Sequence, residues 1–356
     1  MTVVKVDRIH FHTFDSLRFL SFLLVFLHHA GVPENSFLNY FSRGEIGVSF
    51  FFVLSGFLIT YILLLDKINN QNISLKQFFK RRILRIWPLY YAMVLFAFIT
   101  PYLLDIFHIK YSNEGYTPNW FLTLTFLENY RVMYTGGHAN VSPLPVIWSL
   151  CVEEHFYIIW GLIMYVINLK YVPKLILICL VVSFIFRMIY NSFNIFPVDI
   201  FANIGYFAWG AIPAYIFVFH KKIINKLTRI SRIYKYFYFF IVILMIAAPL
   251  NMLKFDYVNC RPDFFGLLFS VLILFTLGNR NVFKISDRTV FAWLGKYTYG
   301  LYLIHMISIM LCRKIGEKYH LDWYMETLMA FIFTVILAFL SYHLFEKQFL
   351  KLKIKH

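Results

Sequence analysis

The chain has 356 residues, of which 60% are hydrophobic, 21% aromatic and only 15% charged. A soluble domain of this size carries about a quarter of its residues charged, so these proportions exclude an ordinary soluble protein. A net charge of +16 invites a nucleic-acid reading, but the cations fall in short segments between long apolar runs, which excludes it.

Apolar runs of about 18 or more residues with few charges read as spanning helices. In hydrocarbon every backbone polar group needs an internal partner, so a chain crosses as helices or as a closed barrel. The runs here are too long and unalternating for barrel strands, so the expected fold is an all-α integral membrane protein, a bundle of about ten transmembrane helices. The predicted spans are 16–33, 46–65, 86–107, 147–168, 174–191, 200–219, 236–253, 264–278, 294–312 and 323–345. The stretch 120–127 is too short to cross and reads as a re-entrant or surface helix on the outer side.

With the amino terminus inside, 25 of the 34 Lys and Arg residues fall on inner segments, eight on outer ones, and Arg187 lies within a span. That asymmetry predicts both termini in the cytoplasm and a multi-pass protein of the cytoplasmic membrane, its basic loops touching anionic lipid. A dozen mixed residues precede the first span and no small-x-small site follows it, so it is expected to be retained rather than cleaved. Residues 14–349 read as one membrane domain between short tails at 1–13 and 350–356. The inner loops 66–85 and 220–235 read as basic amphipathic stretches on the inner leaflet. The longest outer segment, 108–146, carries the Gly- and Pro-rich TGGHANVSPLP and reads as a lid or wall over an opening. Four cysteines, Cys151, Cys179, Cys260 and Cys312, form no CxxC pair, and no metal site is expected.

Ionisable groups inside spans cost several kcal/mol at the bilayer centre and by default mark a functional interior. In the first span Arg18 and His29 are eleven positions apart, three turns plus about 20°, so they share a face roughly 16 Å apart along the axis. Arg82 and Arg85, in KRRILRIWPLY (80–90), share a helix face and are placed to grip phosphates; a plain basic collar is the alternative. In WSLCVEEHFY (148–157) Glu153 and Glu154 point about 100° apart, so at least one faces protein or water. Trp148 and Tyr157 bound that segment as substrate or structural candidates. His305 sits about three turns into the ninth span, where it is either a satisfied core residue or part of a site. Glu346 lies at the inner end of the last helix, at the depth of Arg18, and is placed to pair with it.

Taken together, these segments resemble the acyltransferase 3 family of membrane O-acyltransferases. The resemblance rests on Arg18 with His29, GVSFFFVLSGFLIT (47–60), RRILRIWPLYY (81–91), WSLCVEEHFY (148–157), YTYGLYLIH (297–305) and Glu346, in the family's order over nearly the whole chain. It implies transfer of an acyl group, usually acetyl from acetyl-coenzyme A, to hydroxyls of extracytoplasmic glycans or glycolipids. It also implies His29 as the essential histidine, Arg18 as its paired arginine, Arg82 and Arg85 as the inner arginine pair, and Glu346 as the late acidic residue. Glu153 and Glu154 stand beside them as catalytic candidates. Two departures are visible. The family's Glu-x-Pro reads Glu346-Lys347-Gln348 here, and the fused hydrolase-like domain of many members is not expected. On the residues alone His29 is either a general base or a transient acyl carrier. A transporter or flippase of a lipid-linked glycan uses similar intramembrane polar groups, but its usual inverted repeats are not visible.

Overall fold

The computed structural model describes residues 8–352 except 12, 107, 109–114, 142, 249–256, 279–280 and 282. The far tails, the start of the long outer segment and the end of the seventh expected span lie outside the described residues. Among those described, the one β pairing is an isolated bridge between Tyr116 and Ala139; all other regular structure is helical.

The helices are α1 (Thr13–Ala30), α2 (Gly44–Asn70), α3 (Leu75–Ile106), α4 (Trp120–Leu124), α5 (Glu128–Thr135), α6 (Trp148–Val166), α7 (Val172–Ser192) and α8 (Ile200–Phe219). They continue as α9 (Lys221–Arg229), α10 (Arg232–Ala247), α11 (Tyr257–Thr276), α12 (Val290–Gly295), α13 (Thr298–Tyr319), α14 (Trp323–Ser341) and α15 (Lys347–Lys351). Each of the ten expected spans overlaps a helix, and 294–312 overlaps two, α12 and α13. Among the described residues, seven of these are long and apolar enough to cross a membrane, or eight if the bent pair α9–α10 counts as one. The shortfall has a physical cause. Asp15, Arg18, His28 and His29 dilute α1, Arg313, Lys314, Glu317 and Lys318 dilute the end of α13, and α10 has only 16 residues.

Packing identifies the medium. On α14 the buried residues are small and four apart, Ala330, Thr334 and Ala338, whereas Leu328, Ile332, Ile336 and Leu340 are exposed. Small residues between helices and large apolar ones outside are what a bundle in lipid needs, because lipid tails supply no hydrophobic drive between helices. A close contact joins α2 to α8, where a Cβ on Gly56 would meet the Phe207 carbonyl at 2.1 Å and one on Gly210 the Val53 carbonyl at 1.9 Å. Only glycine permits that approach.

Two segments differ from expectation. Residues 75–85 are not a separate surface stretch but the opening turns of α3, which runs through Pro88 without ending. Neighbouring helices tie it there, with the Tyr299 hydroxyl donating to the Ile86 carbonyl at 2.6 Å. The last helix does not stop at Glu346 either: it widens into a π-helical turn over Tyr342–Glu346 and continues as α15. In the basic 220–235 region α9 is amphipathic, with Ile224 buried, and is bent by 96° from α10.

The described part of the 108–146 segment is tied to the bundle by hydrogen bonds. Buried Glu128 accepts from the Tyr116 hydroxyl and from Thr123 Oγ1, both at 2.7 Å. The Tyr90 hydroxyl of α3 donates to the Thr123 carbonyl at 2.6 Å. Burial and Glu128 push the Tyr116 phenol well above its ordinary pKa, which keeps its proton in place.

Candidate active site

Helices α1, α2, α3, α6, α12 and α13 enclose a cavity that opens at the end of the bundle where α1 begins, here the arginine end. Its mouth is a vestibule of about 380 Å³ lined by Asp15, Arg18, Arg82, Arg85, Lys296, Tyr299 and Glu346. Arg18, Arg82, Arg85 and Tyr299 also line a narrower chamber above it, whose walls include Ser55, Glu153, Tyr157, Ser149 and Tyr302. The sequence-predicted cations therefore meet in one space, although they come from α1 and α3.

Their partners differ. Arg18 is held by Asp15 at 2.6 Å, not by Glu346. The two are three residues apart on α1, so the pair forms within one turn. Arg82 lies against the rings of Phe78 and Tyr157, its guanidinium 5.8 and 5.5 Å from their centroids, and its Nε has no partner among the described residues. Arg85 is exposed into the vestibule. Buried Glu346 accepts from Ser341 Oγ at 3.1 Å across the π turn. An anion entering here meets more positive than negative charge.

The adjacent glutamates separate. Glu153 lines the chamber and accepts from Ser55 Oγ of α2. Glu154 points away from it, its Oε2 3.4 Å from Trp87 Nε1 of α3 and its Oε1 unpartnered among the described residues. Tyr157 is in the chamber under Arg82, whereas Trp148 lines a different cavity.

At the chamber's far end Ser149 Oγ and the Tyr302 hydroxyl are 2.7 Å apart, and both reach the Val146 carbonyl, at 3.2 and 3.1 Å. One turn on, His305 is fully buried, with Nδ1 2.6 Å from the Tyr302 carbonyl and Nε2 3.0 Å from His29 Nδ1. A carbonyl only accepts, so His305 Nδ1 carries hydrogen. In neutral His305 the Nε2 atom must then accept, so His29 Nδ1 carries hydrogen as well. The hydrogen-bond network thus assigns His29 a bare Nε2, the form a base or nucleophile needs. His29 is half-buried and His28 exposed. His138 lies near this end, its ring 6.3 Å from Phe196. Burial, and then His28, push His138 below its ordinary pKa of 6.5.

Of the ten residues singled out by sequence reasoning, His29, His305, Arg18, Arg82, Arg85, Glu153, Tyr157 and Glu346 belong to this connected region, while Glu154 and Trp148 face elsewhere. That reasoning missed Ser55, Ser149, Lys296, Tyr299 and Tyr302. For Tyr299 and Tyr302 the signal was their spacing from His305 on one helix; Ser55 and Ser149 carry none. No group of three or more His, Cys, Asp or Glu among the described residues is arranged to hold a metal ion.

A family model described as an acyltransferase domain matches residues 11–343. Among curated proteins, the chain is 28% identical over 342 residues to the peptidoglycan O-acetyltransferase OatA of Listeria monocytogenes, covering 88% of this chain and 51% of that one. It is 28% identical over 362 residues to the putative peptidoglycan O-acetyltransferase YrhL of Bacillus subtilis, covering 94% and 54%. A putative O-acetyltransferase of Staphylococcus aureus strain COL is 27% identical over 379 residues, covering 96% and 57%. The chain thus spans about half the length of these relatives. No solved structure matches.

Proposed function

Because the chain belongs to the acyltransferase 3 family, we propose that it moves an acetyl group from acetyl-coenzyme A, held at the arginine end, to a hydroxyl of a glycan at the histidine end. One continuity supports this. Three arginines share a vestibule whose chamber ends at the Ser149–Tyr302 hydroxyl pair, one turn from His305, which in turn contacts His29, the histidine with a bare Nε2. The asymmetry of Lys and Arg supports placing the arginine end on the cytoplasmic side of the membrane. Coenzyme A is cytoplasmic and polyanionic, and guanidinium groups suit its phosphates. Relatives named for peptidoglycan O-acetylation suggest a cell-wall glycan as the acceptor.

In the proposed reaction the phosphates sit among Arg18, Arg82 and Arg85 while the pantetheine arm threads the chamber. His29 Nε2 takes the proton of the acceptor hydroxyl as its oxygen attacks the thioester carbonyl. The tetrahedral intermediate collapses, the C–S bond breaks, and the proton passes from His29 to the departing thiolate. One ester and one thiol replace one thioester and one alcohol. His305 holds the His29 tautomer through the 3.0 Å contact, as a positioning residue.

The test uses the purified protein in liposomes with labelled acetyl-coenzyme A and a peptidoglycan acceptor. Label on glycan with stoichiometric free thiol is the expected result. Movement of unmodified glycan across the bilayer without label incorporation supports the transporter instead. His29→Ala is expected to lower the rate by about 10²–10⁴-fold, the range of general-base catalysis, with the protein still folded. Full activity in that variant removes His29 from the mechanism.

A further inference from the structure

A second cavity, of about 340 Å³, lies at the histidine end and is bounded by the starts of α2, α6, α8 and α11 and the end of α7. The reaction as described does not use it. It stands back to back with the donor chamber, because Val48 and Phe52 of α2 line both. It also lies near His28 and His138. Glu45 on its wall follows Gly44, where a Cβ would meet the His28 ring at 2.8 Å, and Phe196 on its wall is the residue that contacts His138.

Its chemistry is specific. Arg187, 4% exposed, is paired with Asp263, and its Nη1 donates to Ser183 Oγ at 2.6 Å. Its Nε–H is buried and has no partner among the described residues. Arg261 pairs with Glu45 at 3.2 Å, so each of these guanidiniums has a carboxylate against it. Asn203 uses both amide hydrogens, on the Pro197 and Asp199 carbonyls at 2.9 and 2.8 Å, which leaves Oδ1 as its acceptor. Trp148 and Phe196 supply flat apolar faces. A buried donor left unpaired is unfavourable, so a ligand oxygen that reaches Arg187 Nε relieves it.

We infer that this cavity between α2, α7, α8 and α11 is the acceptor subsite and takes an uncharged saccharide ring. The inference rests on the transferase reading for its role, though not for its ligand class. A sugar hydroxyl both donates and accepts, matching Asn203 Oδ1 and Arg187 Nε–H, and the C–H face of a pyranose lies on aromatic rings. The closed ion pairs give the space no charge with which to select a phosphate or a carboxylate. The volume falls within the range of about 300–1,000 Å³ typical of small-molecule sites.

The probe is chitotetraose, a neutral N-acetylglucosamine oligomer, offered to the full chain in nanodiscs. Tryptophan fluorescence titration is expected to saturate, and Phe196→Ala and Trp148→Leu each weaken binding at least tenfold. Phe237→Ala, on the remote lipid-facing side of α10, binds as the parent does. A diazirine derivative of the same sugar, photolysed on the parent protein, is expected to label peptides containing Trp148 or Phe196, and this arm depends on no variant folding. Label mapped elsewhere, or no saturable binding, overturns the inference. Acetyl transfer by a protein whose photolabel maps elsewhere removes this subsite and leaves the transferase. Labelling here by a protein that transfers no acetyl group retains the saccharide site and removes the transferase.

Discussion

Neighbouring residues of one type have different work here, and only their surroundings tell them apart. Glu153 faces the chamber beside Ser55, while Glu154 is packed against Trp87. Glu153→Gln is therefore expected to reduce acetyl transfer more than tenfold, and Glu154→Gln less than threefold, in parallel assays at saturating donor. His305 separates positioning from chemistry. His305→Ala is expected to slow turnover by one to two orders of magnitude with the donor KM unchanged, and His305→Gln, whose amide oxygen accepts from His29 Nδ1, to recover part of the loss. Equal rates for the two variants would leave no positioning role. His138 carries a pH consequence. Its folded-state pKa lies below the ordinary 6.5, so the unfolded chain binds more protons as pH falls through that value. Thermal stability is expected to drop between about pH 7 and 5, and His138→Gln to flatten that slope. The Arg18–His29 pairing was legible because both lie on one helix, where sequence distance is spatial distance. The Ser149–Tyr302 contact was not, since two common hydroxyls 153 residues apart carry no mark until α6 and α13 pack together.

At the scale of the helix, each expected span fell on helix, and seven of them, or eight with the bent α9–α10 pair, are long and apolar enough to cross among the described residues, because length in apolar sequence is what a bilayer selects. Run boundaries misled in α3 and after α14. The Lys and Arg residues of 76–85 lower hydropathy without breaking helix, so α3 starts eleven residues before the expected span at 86. An absent proline at the end of α14 leaves the chain free to continue, and the π turn places Glu346 toward the vestibule. Which faces meet was illegible too, since a helix apolar all round has no stripe to read. The Gly56 and Gly210 contact between α2 and α8 is the sharpest case. Gly210→Val puts methyl groups into the Val53 backbone and is expected to destabilise by at least the 1–3 kcal/mol of ordinary overpacking. Loss of the monodisperse peak in size-exclusion chromatography in detergent would register it.

For the whole molecule, the two ends differ in chemistry, guanidiniums at one and imidazoles at the other. Orientation thus decides which substrate each end can reach. Cys260, at the start of α11 and so at the histidine end, is exposed, while Cys151, Cys179 and Cys312 are buried. A membrane-impermeant maleimide added to intact cells is expected to label the protein, and Cys260→Ser to abolish the signal. Labelling only after lysis would invert the proposed direction of transfer. α3 has 32 residues, about 48 Å at 1.5 Å per residue, whereas the hydrocarbon core is about 30 Å thick. The surplus makes its basic opening turns a pedestal, lifting Arg82 and Arg85 to headgroup level. Under the proposed reaction, a polyphosphate held there would keep much of its hydration, so that only the uncharged arm of the donor would have to enter the oily interior.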